Sequence, residues 1–296
     1  MKIHYQNCPV CNSASIKPAL TVKDHSVSKE TFSIWECSNC SLRFTQDVPD
    51  ESSIGRYYQS EDYISHSNTS QGLVNQIYKK VRNHTLNQKA DLIISHTTKK
   101  GNILDMGAGI GAFLNTMKNR GWKISGIEPD EGARQQAKQL FDIELLPVEI
   151  FGQLQPASFD AITLWHVLEH VHQLHDYIKR LKELLKPGGK IFIAVPNYES
   201  TDSSIYNSYW AAYDVPRHLY HFTPKSIQVL VEQHGLKLTG KKPMWFDSFY
   251  ISLLSSKYKN GKTSWIGAAL SGVRSNINAV FNKDRCSSVI YIIEKG

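Results

Sequence analysis

The stretch NILDMGAGIGAF, residues 102–113, decides the reading of this chain. An apolar run leads into Asp105, and glycines then stand at 107, 109 and 111. Glycines at alternate positions let the backbone turn left-handed and let a ligand come close to bare main chain. On either side the hydrophobic period switches between strand and helix. WKISGIE (122–128) reads as a strand and DEGARQQAKQLF (130–141) as a helix, with Asp130 as its N-cap. FDIELLP (141–147) and FDAITLWHV (159–167) read as strands. LHDYIKRLKELLKPGG (174–189) reads as a helix stopped by Pro187-Gly188-Gly189. KIFIAVPN (190–197) is uninterrupted and apolar, as a strand buried on both faces must be. This alternation predicts an α/β fold with a parallel, doubly wound sheet. Upstream, Leu73, Ile77, Val81, Leu86, Ala90 and Ile93 recur near a helical period. Downstream, FTPKSIQVLVEQHG (222–235) carries Thr223 as N-cap, Pro224 in the first turn and Gly235 past the end. LKLTGKKPMWF (236–246) and SSVIYIIEK (287–295) form a final strand pair. A helical insert over about 247–284, read as packing or a lid, lies between them.

The N-terminal segment is of another kind. Cys8 and Cys11 form one CxxC pair, and Cys37 and Cys40 a second, 25 residues on. Two such knuckles supply the four sulfurs of a closed tetrahedral zinc site, which is structural rather than catalytic. TFSIWEC (31–37) enters the second knuckle as a strand and SLRFTQ (41–46) leaves it as another. The predicted organisation is a zinc ribbon over 1–48, an aromatic connector over 49–72 and a main domain over 73–296. Cys286 stands apart as a buried thiol.

Composition narrows the class. The 296 residues are 41% hydrophobic and 21% charged, as in a globular protein. The start, MKIHYQNCPVC, has no apolar core of signal-peptide length, and no window approaches the ~18 apolar residues of a membrane span. A cytoplasmic enzyme is expected. The net charge of +7 admits an anionic partner such as RNA, but the cations are scattered and no run of five appears.

The glycine turn fits both a dinucleotide and S-adenosylmethionine (SAM), since Glu128 ends the next strand where either ribose diol would sit. Asp105 favours SAM. A carboxylate beside the turn is unhelpful to a pyrophosphate and suits the ammonium and sulfonium of SAM.

ILDMGAGIGAF, GIEPD, SFDAITLWHVLEHV and LLKPGGKIFIAVPN, in this order, closely resemble the class I SAM-dependent methyltransferases over about 85–240. The resemblance implies a seven-stranded Rossmann-like sheet in order 3-2-1-4-5-7-6, with the last strand antiparallel. It places Asp105, Gly107, Ala108 and Gly109 at the methionine end of SAM and Glu128 on the ribose. Pro129, Val148 and Glu149 would lie near the adenine, and Trp165 and His166 on the methionine side. With its ribbon the chain is similar, more narrowly, to zinc-containing deoxysugar C-methyltransferases. Those carry a basic histidine in a Glu-His-Leu stretch, matched here by His218 with Arg217 in place of the acid. His170 and Tyr63 match a histidine and a connector tyrosine of that group, and Asp214 is a supporting candidate. Arg217 could alternatively hold an acceptor's phosphate or carboxylate. The expectation is methyl transfer to a small glycosyl or anionic acceptor, such as a nucleotide-sugar or glycan precursor. An RNA methyltransferase and a non-catalytic binding module are the rivals. The ribbon's lack of a basic stripe weighs against the first, and the intact cofactor residues weigh against the second.

Overall fold

The computed structural model describes residues 1–59 and 73–296. The connector residue Tyr63 therefore lies outside the described residues.

Five short strands build the N-terminal region: β1 (Lys2–Ile3), β2 (Ile16–Lys23), β3 (Thr31–Cys37), β4 (Arg43–Thr45) and β5 (Val48–Pro49). Helix α1 (Leu73–His96) then leads into the main sheet. Its first strand, β6 (Asn102–Met106), is followed by α2 (Ala112–Asn119), β7 (Lys123–Ile127), α3 (Glu131–Phe141) and β8 (Phe159–Trp165). Next come α4 (Leu174–Leu184), β9 (Leu185–Pro196), α5 (Thr201–Tyr206) and β10 (Tyr220–His221). The chain closes with α6 (Pro224–Gln233), β11 (Leu236–Pro243), α7 (Asp247–Asn260), α8 (Trp265–Phe281) and β12 (Ser288–Lys295).

The main sheet runs β11-β12-β9-β8-β6-β7. The pairs β6–β7, β6–β8 and β8–β9 are parallel, and β12 is antiparallel to both neighbours. This is the expected doubly wound sheet, with two corrections. The segment read as its third strand is reduced to a single parallel bridge, Ile127↔Leu146. Asp142 sits left-handed at the end of α3, and Pro147 offers no N–H, so only four residues between them are free to pair. A second correction concerns Pro187-Gly188-Gly189. Helix α4 already ends at Leu184, and Leu185 pairs with Phe159. The register then shifts, pairing Ala161 with Lys190, so the glycines form an irregularity inside β9.

The capping reading holds. Asp130 accepts from the Ala133 N–H, and Thr223 and Ser226 form a reciprocal capping box with Pro224 in the first turn. Ile103, Leu104, Ile162, Leu164, Ile191 and Ile193 fill the sheet interior, all at 0–1% exposure. That burial, at about 25 cal/mol per Å² of apolar surface, is the main force holding the layers together.

The N-terminal region is joined to the main domain by backbone. Strand β10, from the loop after β9, extends the N-terminal sheet, whose order is β10-β4-β3-β2. Tyr220 pairs with Phe44 and His221 with Arg43. The histidine-rich loop is thereby held between the two parts of the chain.

Candidate active site

The glycine turn takes the backbone its sequence calls for. Gly107, Gly109 and Gly111 have φ of 64°, 54° and 76°. A Cβ on Gly107 would lie 2.6 Å from Val167, so that glycine answers a packing need. A Cβ on Gly109 would meet nothing within 4 Å, so the space beside it is open to a ligand. Ala108 N–H donates to Ile127 O and ties the turn to β7.

Glu128 follows β7 and is 8% exposed. Its Oε2 accepts from Gly109 N–H at 2.7 Å and its Oε1 from Asp130 N–H at 3.0 Å. Burial raises its pKa. Arg134 donates to the carbonyls of Glu128 and Pro129, both at 2.7 Å, and fixes that loop. Val148 and Glu149 open a 3-10 turn beyond Leu146, both exposed. The carboxylate, the open glycine face and this rim fit the ribose and adenine of SAM.

Asp105 lies buried in β6 and accepts from Thr163 Oγ1 at 2.6 Å. Burial pushes its pKa up to about 7, against the pull of Thr163 and Lys89. Lys89, from α1, holds its ammonium 4.3 Å above the Trp165 ring, which also meets Phe113 edge-on at 5.4 Å. Burial lowers the Lys89 pKa, countered by Asp247 and Asp105.

Beyond Trp165 the backbone turns left-handed at His166, with φ of 59°. His166 Nε2 lies 3.0 Å from Asp247 and Nδ1 lies 3.4 Å from Glu169. Burial would lower its pKa, but the two carboxylates prevail and raise it to about 9. Glu169 is 1% exposed, and neither carboxylate oxygen has a hydrogen bond among the described residues. His218 Nε2 stands 4.0 Å from the same Glu169 Oε1 that faces His166. His218 Nδ1 is 2.8 Å from Ala212 O, so Nδ1 carries the proton and Nε2 has the free lone pair. His170 packs edge-on against His218 at 4.7 Å, with Nδ1 3.0 Å from both Tyr58 Oη and Arg217 O. Burial lowers the His170 pKa to about 4.

The structure thus gathers His166, His170 and His218 around one buried carboxylate. Sequence reasoning named the three histidines and missed Glu169, which stands between two of them in HVLEH (166–170). Lys89 and Asp247 were missed too, because distant helices supply them. Asp214 plays another part. Its carboxylate accepts from Arg217 at 2.6 and 3.0 Å. Arg217, 2% exposed, also donates to Tyr57 O at 2.7 Å, to Asp24 at 3.1 Å and to Ser26 Oγ. The reading of Arg217 as holder of an acceptor anion is therefore corrected, since buried Asp24 and half-buried Asp214 already occupy its fork.

The four N-terminal cysteines converge. Their sulfurs lie within 4.8 Å of one another, with Cys8–Cys40 and Cys11–Cys37 each at 3.5 Å. Left-handed Asn12 and Ser41 follow the second cysteine of each knuckle, at φ of 57° and 60°. Ser41 N–H donates to Cys37 O and Asn12 N–H to Cys8 O, closing each turn. Cys286 is fully buried, and burial pushes its thiol up to about 12.

Fold and site together are those of a Rossmann-like methyltransferase domain, preceded by a four-cysteine N-terminal module. Residues 78–240 match the family described as a methyltransferase domain, and the chain belongs to that family. Over 102 residues it is 33% identical to a ubiquinone biosynthesis O-methyltransferase of Idiomarina loihiensis, covering 32% of this chain and 42% of that protein. The same named enzyme of Acinetobacter baylyi is 35% identical over 103 residues, covering 32% and 43%. The chain thus spans about two-fifths of the length of the curated relatives it matches. Among solved structures, the PH0226 protein from Pyrococcus horikoshii OT3 shares the fold. Its TM-score is 0.51 at 12% identity, over 79% of this chain and 98% of that one.

Proposed function

We propose that the protein transfers a methyl group from SAM to a small glycosyl acceptor, such as a nucleotide-sugar or glycan precursor, with His218 as general base. SAM supplies an electrophilic methyl carbon on a sulfonium, with S-adenosylhomocysteine as the leaving group. Glu128 accepts the ribose hydroxyls, and Asp105 faces the ammonium. His218 Nε2 takes the acceptor's proton as the new bond forms, and the resulting imidazolium is stabilised by Glu169. His170 and Tyr58 line the same corner and orient the acceptor. The observation that carries this reading is the placement of Glu169. Its buried Oε1 faces both His166, just past the end of β8, and His218 Nε2. Glu169 thereby takes the place of the acid that Arg217 displaces. Arg217 is committed to Asp214 and Asp24, so its fork is not what would hold a charged part of the acceptor. Zn²⁺ on Cys8, Cys11, Cys37 and Cys40 completes the proposal. Tetrahedral Zn–S bonds of ~2.3 Å require sulfurs ~3.8 Å apart, a spacing this cluster brackets.

His218→Ala tests the base. Transfer falls about 10²–10⁴-fold while SAM affinity stays within about twofold. An unchanged rate removes His218 from the role.

A further inference from the structure

Helix α8 is built inside out. The face it turns to the protein is made of small residues, Ala268, Gly272, Ser275 and Ala279, all buried. Phe249 of α7 seats against Gly272, where a Cβ would come within 2.6 Å of its ring. The large side chains point to solvent. Ile266, Leu270, Val273, Ile277, Val280 and Phe281 recur at helical spacing, and Ile266 and Phe281 are 79% and 86% exposed. On a helical wheel they share one broad arc, with Arg274 at its edge. Trp265, 65% exposed, stands at the N-terminal end. An apolar stripe running the full ~26 Å of a 17-residue helix exceeds what a solitary soluble protein normally shows water.

Charge identifies what covers it. Between Asp247 and Asp284 the sequence holds no acidic residue but contains Lys257, Lys259, Lys262, Arg274 and Lys283. All five are exposed, and none makes an ion pair among the described residues. Two copies meeting through this stripe would bring like charges together. An anionic lipid surface would satisfy both features, the stripe entering the acyl boundary while the cations meet headgroups. Tryptophan at such a helix end is at home in the interface. Among the described residues no helix is long and apolar enough to cross a membrane, so α8 lies along the surface.

We propose that the α7–α8 hairpin docks this protein on an anionic phospholipid bilayer, with α8 in the plane of the interface. The test is co-sedimentation of the full chain with phosphatidylcholine vesicles, with and without phosphatidylglycerol. Binding is expected to the phosphatidylglycerol vesicles, and to weaken at high salt. Leu270→Glu, at an exposed site that leaves the fold intact, is expected to cut partition about tenfold. Lys257→Glu with Lys262→Glu is expected to remove the preference for anionic lipid. Absence of binding to either vesicle overturns the proposal, as does binding unchanged in Leu270→Glu. A dimer in sedimentation velocity that Leu270→Glu dissociates, without vesicle binding, would assign the stripe to a second copy instead.

Discussion

SAM affinity should depend on pH near neutrality, through Asp105. Burial in β6 holds the Asp105 pKa at about 7, so near pH 6 most molecules carry a protonated side chain. The ammonium of SAM favours the ionised form, so binding lowers this pKa and takes up no proton where the group is already ionised. The sign follows. Affinity is full above the pKa of the free protein and is lost as pH falls through it. For a group of pKa about 7 the penalty factor is one plus ten to the power of pKa minus pH. It is about elevenfold at pH 6 and about 1.3-fold at pH 7.5, a change of about eightfold between them. Calorimetric titration of SAM from pH 5.5 to 7.5 measures it. His166, raised to about 9, and His170, lowered to about 4, keep their charge states across most of that range. Asp105→Asn should bind SAM more weakly and lose the slope. A flat profile in the unaltered protein, or a slope that survives Asp105→Asn, would refute the reasoning.

Two further predictions concern the N-terminal module. Arg217→Met leaves Asp24 and Asp214 without their cation, at a cost of about 3–5 kcal/mol. In a chain of this size thermal denaturation should shift down by roughly 6–20 °C, whereas an Arg217 held only for the acceptor would leave the Tm unmoved. Metal analysis of the purified protein should find one zinc per chain, and Cys37→Ser should abolish it and lower the Tm. Zinc retained in full by Cys37→Ser would exclude the four-sulfur site.

Local chemistry explains what was legible in the sequence. The glycine turn, the Asp130 cap and the Thr223-Pro224 start of α6 are each specified within a few residues, and each forms as read. Strand β2 was unreadable because Pro18 interrupts its pattern. The structure accommodates that proline at a register shift on the sheet edge. The third strand failed for the opposite reason. Ile143, Leu145 and Leu146 look like a strand, but Asp142 and Pro147 leave it almost no length. The candidate site divides likewise. Its histidines stand out by residue type, whereas Glu169 acquires meaning only when β8 and the loop before β10 bring His166 and His218 to it. Arg217 resembles an anion-binding residue in sequence, and only the fold reveals Asp24 beneath it. Helix α8 shows an apolar period whose direction the sequence leaves open, and the small face turns inward.

The central claim is methyl transfer to a small acceptor. Its most direct test incubates the purified protein with methyl-labelled SAM and a cell extract separated into small-molecule, protein and RNA fractions. The account predicts label in the small-molecule fraction, absent with His218→Ala. Label confined to RNA, or label in no fraction while SAM binds, would contradict it.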